Sequence, residues 1–197
     1  MDMKGEQLIP APQVDVWKAL NDPAVLRSCV PGCESIDPVG PNEYMVLMVA
    51  RVGPVSAKFK GKLNLSNMNP PHSYSIAFEG QGGVAGFAKG GADVSLVAEG
   101  HATKLAYKVK ANVGGKLAQI GSRLVDAAAN KVANDFFNAF NEKVGKPEHP
   151  AEEHHHDEHH PTPVPRDPDL PQVSDASLSF FAAGALVVFV VALITLL

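Results

Sequence analysis

The chain has 197 residues, 45% of them hydrophobic, and a formal net charge of −4. That leaves room for one domain with appendages and enough apolar mass for a core, and the lack of any basic block interleaved with aromatics excludes nucleic acid as a partner. The charge is unevenly placed: residues 1–145 carry 15 Lys and Arg against 13 Asp and Glu, whereas residues 146–177 carry 2 against 8.

The opening "MDMKGEQLIPAPQ" has no apolar run behind a positive start, so it does not read as a signal peptide, and the body is expected in the cytoplasm. Residues 3–9 read as a first strand. "APQVDVWKALND" then opens a short helix with Pro12 near its start and Val16, Trp17 and Leu20 on one side. "DPAVLRSCVPG" reads as a second short helix, capped by Asp22 and stopped by Pro31 and Gly32. Cys29 and Cys33 stand in a C-x3-C spacing without further Cys and His partners, so they read as free structural thiols and not as a zinc site or a disulfide.

A six-membered meander follows, with strands expected over 34–39, 43–52, 55–67, 72–80, 88–98 and 104–113, separated by Gly, Pro and Asn clusters. Alternation assigns the faces. Ser56, Lys58, Lys60, Lys62 and Asn64 interleave with Ala57, Phe59, Gly61, Leu63 and Leu65, and Lys104, Lys108 and Lys110 oppose Leu105, Tyr107, Val109 and Ala111. One face of the sheet is therefore wet and lysine-rich, the other buried. After "VGG" the period changes to 3.6, and residues 116–144 read as one long helix with a stripe of Leu117, Ile120, Leu124, Ala128, Val132, Phe136 and Phe140. Gly145 and Pro147 end it. The fold class expected is α+β, a curved antiparallel sheet gripping a long C-terminal helix.

Residues 146–177 hold seven prolines and six histidines and cannot build a core, so they read as a semi-extended linker. Its "HHHDEHH" run offers imidazole and carboxylate ligands suited to Zn, Ni or Cu, but a solvated linker is the preferred reading. Residues 178–197 form an uncharged run long enough to cross a bilayer as a helix, with Leu178, Phe180, Phe181, Leu186, Phe189, Leu193 and Leu197 as its lipid-facing bulk. The expectation is three parts, a domain at 1–145, a linker at 146–177 and a single-pass tail anchor at 178–197, with the domain on the cytoplasmic side of the inner membrane.

Several inner positions are small: Ala88, Gly90, Ala92, Ala98 and Ala111 on the sheet, and Gly121, Ala128 and Ala129 on or beside the helix stripe. Interiors are packed close to crystal density, so either the backbones close up or a guest fills the space. No acid, base or nucleophile is placed inward, which argues against catalysis.

"VPGCESI", "GGADVSL" and "VGGKLAQIGSRLVDAAANKVANDFF" resemble the CoxG family of aerobic carbon monoxide dehydrogenase, within the START-like (SRPBCC) helix-grip superfamily, over roughly residues 1–144. Some members of that family also carry a C-terminal membrane helix. The resemblance implies an accessory protein of CO oxidation that brings the soluble molybdenum enzyme to the membrane and handles the quinone, menaquinone or ubiquinone, that receives its electrons. It favours a hydrophobic guest drawn from the membrane lipid and quinone pool, and the candidate lining is Tyr44, Met48, Phe59, Ile76, Phe78, Phe87, Ala92, Leu124 and Phe136. No catalytic and no metal-ligating residue is assigned. Two alternatives stay open, a recruiting scaffold without a ligand and a cyclase-like enzyme.

Overall fold

Alternation, capping residues and turn residues carry over from the sequence into most elements of the domain. The computed structural model describes residues 2–52 and 55–145, so the linker and the tail anchor expected at 146–177 and 178–197 lie outside the described residues. Strand β1 (Asp2–Ile9) is followed by helices α1 (Gln13–Leu20) and α2 (Pro23–Cys29), then by β2 (Cys33–Gly40), β3 (Glu43–Val52), β4 (Val55–Asn69), β5 (Ser73–Gln81), β6 (Phe87–Glu99) and β7 (Ala102–Gly114). Two helices close the domain, α3 (Lys116–Gln119) and α4 (Ser122–Val144). The sheet order is β1-β7-β6-β5-β4-β3-β2, antiparallel throughout, so the first strand closes against the last. Register shifts at Cys33/Ser35, Pro38/Gly40 and Ser66/Asn69 add the local twist that curls such a sheet.

The predicted faces are observed. Phe59, Gly61, Leu63 and Leu65 are buried between exposed Lys58, Lys60, Lys62 and Asn64, and the same alternation runs along β7. Asp22 caps α2 by accepting from the Ala24 and Val25 amides at 2.8 and 3.4 Å. In α1, Val16, Trp17 and Leu20 are the buried residues. Gln13 ties that helix to the sheet, its Nε2 donating to the carbonyls of Leu96 and Pro71.

The two ends of the sheet differ. At one end lie the turns after Gly40, Asn69 and Glu99, with Trp17 packed edge-on to Tyr74 at a centroid distance of 5.6 Å. There α4 presents Phe136, Phe137 and Phe140: Phe136 stacks on Phe140 at 5.4 Å and meets Phe137 edge-on at 5.2 Å, and Phe137 stacks on Tyr107 at 5.9 Å. Each such ring contributes roughly 1.5–3 kcal/mol by burial alone. At the other end lie a 3-10 turn (Gly83–Ala85), the end of β7, α3 and the start of α4, and there the buried residues of α4 are Val125, Ala129 and Ala133. We call these the closed and the open end.

Two expectations are corrected here. The long helix expected over 116–144 is broken at Gly121, whose φ of +92° no helical residue adopts, so α3 and α4 are separate. Within α4 an i, i+4 row drifts by about 40° per step, so a row that starts on buried Phe140 has turned most of the way to the opposite side by Leu124. Val125, Ala129 and Ala133 are the buried residues of this half, Ala128 and Val132 pack half-buried beside them, and Leu124 is 51% exposed. Ala98 and Gly121, expected inside, are also exposed; Ala98 lies beyond Ser95, where the pairing of β6 with β5 ends.

Candidate functional site

The space expected at the inner glycines is filled from within the chain. A Cβ on Gly90 would lie 2.7 Å from Phe78 Cζ, so the Phe78 ring occupies the room that a side chain at position 90 would need. The ring of Phe59 does the same for Gly82. A glycine under a neighbouring ring costs backbone entropy but gives the ring a flat floor, which keeps the packing dense.

Of the candidate lining residues, Tyr44, Met48, Phe59, Ile76, Phe78, Ala92 and Phe136 are brought together in one apolar cluster, each exposed by 6% or less. Burial pushes the Tyr44 phenol up to about 12, so it stays neutral. Phe87 and Leu124 do not join them. Phe87 belongs to the outer parity of β6, with its ring across Gly114 and 52% exposed, and Leu124 points away from the core for the reason given above.

Two hollows are formed by the described residues around this core. The larger, about 600 Å³, lies on the outer face and is lined by polar groups such as Lys4, Lys108, Ser75, Asp93 and Ser95. Much of that hydrogen-bonding capacity is already spent: Ser75 Oγ donates to Asp93 Oδ1 at 2.7 Å and accepts from Asn67 Nδ2 at 3.2 Å. Buried Tyr74, Val94 and Tyr107 also line it, but the four charged side chains Lys4, Glu6, Asp93 and Lys108 stand at its wall, so size alone does not make it the better site for an apolar guest.

The smaller hollow, about 430 Å³, is a cleft at the open end between β7, α3 and α4. Its floor is apolar: Leu117, Val125 and Ala111 are 0%, 4% and 5% exposed. Its rim is polar, with Asp2, Asn112, Ser122 and Asp126. Leu117 is the one buried residue of α3 and plugs the cleft toward the core. This four-residue helix is held between Gly115 (φ +81°) and Gly121 (φ +92°), so both of its junctions use backbone conformations open to glycine and strained for other residues. Gly115 also touches the 3-10 turn, since a Cβ there would meet Gly86 Cα at 2.4 Å.

Sequence reasoning missed the rim. Nothing in "MDMKG" marks Asp2 as a neighbour of Ser122, because the pairing of Asp2 with Lys110 that brings it there is long-range. The bracket of glycines at 114, 115 and 121 around "KLAQI" is the available signal for α3. The interior offers little acid–base chemistry. Among the described residues, Thr103 is the buried polar side chain of the core, and its hydroxyl is spent on the Ala11 carbonyl at 2.7 Å. The two thiols are free: Cys29 is buried, and burial pushes Cys33 up to about 11, which makes it a poor nucleophile. Among the described residues no group of three His, Cys, Asp or Glu side chains converges as a metal site, and no helix is long and apolar enough to cross a membrane. The "HHHDEHH" run lies outside them.

Comparison with known proteins sets this geometry among relatives. The CoxG family, described as a subunit of carbon monoxide dehydrogenase, matches residues 5–145. A conserved protein from Geobacillus kaustophilus is 28% identical, with a TM-score of 0.70 over 73% of this chain and 95% of that one. The Zhui aromatase/cyclase from Streptomyces sp. R1128 is 13% identical with a TM-score of 0.53, over 73% of this chain and 93% of its own. Ara h 8.0201 is 16% identical with a TM-score of 0.52, over 73% and 97%. The last two share the fold alone: an antiparallel sheet wrapped on a C-terminal helix, as the sequence predicts. No curated protein sequence matches the chain.

Proposed function

The chain belongs to the CoxG family of carbon monoxide dehydrogenase, and from that premise we propose that it is a non-catalytic accessory protein, anchored by residues 178–197, that takes an apolar ligand from the membrane and presents it to the soluble molybdenum enzyme. The ligand is a quinone. The observation that carries this reading is the cleft at the open end, with a buried apolar floor beneath a rim of hydrogen-bonding groups.

The chemistry of the rim suits both forms of such a ligand. A quinone ring presents carbonyl oxygens that accept from Asn112 Nδ2 or Ser122 Oγ, whereas a quinol presents hydroxyls that donate to the carboxylates of Asp2 and Asp126. The volume, about 430 Å³, lies inside the ~300–1,000 Å³ span of small-molecule sites. It accommodates a ring and the start of a chain. A longer apolar tail is taken in when α3 swings on its two glycines and withdraws Leu117 from the core, where Phe59, Phe78 and Phe136 become contacts.

A recruiting scaffold without a ligand draws support from a different observation, the outer polar hollow of about 600 Å³ with its lysines. The two roles are compatible on one molecule. A cyclase-like reaction draws support from the aromatase/cyclase likeness in fold, and the scarcity of buried ionisable groups among the described residues weighs against it.

The test uses the full chain purified from membranes, extracted with organic solvent and examined by mass spectrometry. Recovery of about one quinone per chain is expected, together with a stabilisation on quinone addition of about 2.7 kcal/mol at a ligand concentration about 100 times Kd. Ala111→Phe, which fills the floor of the cleft, removes both. Extraction that yields no quinone, with no shift in melting on addition, leaves the scaffold.

A further inference from the structure

We propose that the open end of the domain is a lipid-docking surface, so that the domain rests on the bilayer with its cleft facing the lipid and its C-terminal end, at Gly145, facing away. Three of the seven large apolar side chains that the described residues leave in water are at this end: Val84, the most exposed of the seven at 85%, on the 3-10 turn, Phe87 at 52% at the start of β6, and Leu124 at 51% in the first turn of α4, whereas Leu8, Val14, Val39 and Val97 stand away from the cleft. Close backbone approach fixes the first two relative to α3, since Gly86 abuts Gly114 and Gly115 and the Phe87 ring lies across Gly114. Exposed Lys89, Lys116 and Arg123 belong to the same end and outnumber the rim carboxylates of Asp2 and Asp126. Apolar tips among exposed cations make a surface that enters the headgroup layer of an anionic bilayer.

The chain beyond the described residues identifies the occupant. It carries the uncharged run 178–197, which delivers the domain to a membrane and to no other surface. It leaves from the wrong end for a simple stalk. Gly145 is at the closed end, where its Cβ would lie 3.0 Å from Pro10 Cγ and where Lys143 Nζ donates to Ser28 Oγ at 2.8 Å. The 23 residues of α4, at about 1.5 Å each, separate Gly145 from the open end by about 35 Å. A short connection would hold the cleft away from the lipid. The 32 residues of 146–177 span on the order of 100 Å when extended and about 30 Å as a coil, enough to let the domain invert.

The experiment places the full chain in vesicles of phosphatidylcholine with phosphatidylglycerol, some of the lipid carrying brominated acyl chains. Val84→Trp is expected to lose fluorescence by at least about twofold, while Val97→Trp, 57% exposed near the turn at the closed end, is not quenched and native Trp17 supplies a constant buried background. Deleting residues 149–172 leaves a connection of about 25 Å, too short for inversion, and abolishes the quenching while the chain still floats with the vesicles. Equal quenching at both positions, no quenching at Val84→Trp, or quenching that survives the deletion overturns the proposal. It rests on the anchor reading, which flotation reports separately, and a chain that fails to float overturns both. It does not rest on the quinone: quenching without quinone recovery leaves the docking surface standing and removes the ligand.

Discussion

The two halves of α4 face the same sheet with side chains of different size, and the rest of the domain follows that difference. Its C-terminal half inserts three phenylalanine rings into the closed end, where Phe137 stacks on Tyr107 and a separate pair, Trp17 and Tyr74, meets edge-on. Its N-terminal half offers a valine and two alanines. The closed end thus carries the bulk of the packing energy, and the open end retains a cleft flanked by glycines at positive φ. On the proposed function, stability and binding draw on opposite ends of one helix, as expected where a binding region must keep a low local cost of rearrangement.

The sharpest way to break this comparison is to exchange the demands of the two halves. Phe136→Ala, at a fully buried ring with two aromatic neighbours, should cost about 3–5 kcal/mol in urea melts. A loss below about 1 kcal/mol would mean that the closed end is not the stabilising one. Ala129→Leu, at a site that is also fully buried but small, should cost about 1–3 kcal/mol by overpacking and should also lower quinone-dependent stabilisation.

The smallest effect is a pH dependence. Burial raises Tyr44 from 10.0 to about 12 and Cys33 from 9.0 to about 11, and it raises Tyr74 as well. Groups whose folded values are raised contribute stability that is whole below their unfolded values and is lost as pH climbs through the folded ones. The unfolding free energy should be level from neutral pH to about 9 and lower by on the order of 1 kcal/mol at about pH 10, once the half-exposed setting of Cys33 is discounted. Both tyrosines lie at the closed end, so melts at about pH 7, 9 and 10 ask whether that end is also the one alkali attacks. A level curve through the whole range would answer no.

Period and punctuation are enough to read the closed end. Alternation along β4 and β7 assigns the buried face residue by residue, and Asp22 before Pro23 marks the start of α2, because these signals act within a few residues of where they are written. The open end is harder for a physical reason. Gly121 inside an apolar 3.6-residue pattern reads equally well as a tolerated helical glycine or as a break, and only its observed φ decides. Leu124 is a separate matter: a row of i, i+4 steps from Phe140 drifts about 40° each time and has left the core face by position 124. The filling of Gly90 by Phe78 and the arrival of Asp2 at the cleft depend on register between strands, which no local pattern encodes. Small inner residues are visible in the sequence; what covers them is a matter of tertiary packing.

The seat of Asp2 on the rim of the cleft has a practical corollary for anyone handling this protein. A purification tag or reporter fused ahead of Met1 would emerge beside Ser122 and Asp126, at the entrance through which a guest would pass, and would cork it. Fusions are better inserted at the hairpin tip around Gly100, where the backbone turns in open solvent with nothing within 4 Å of an added carbon.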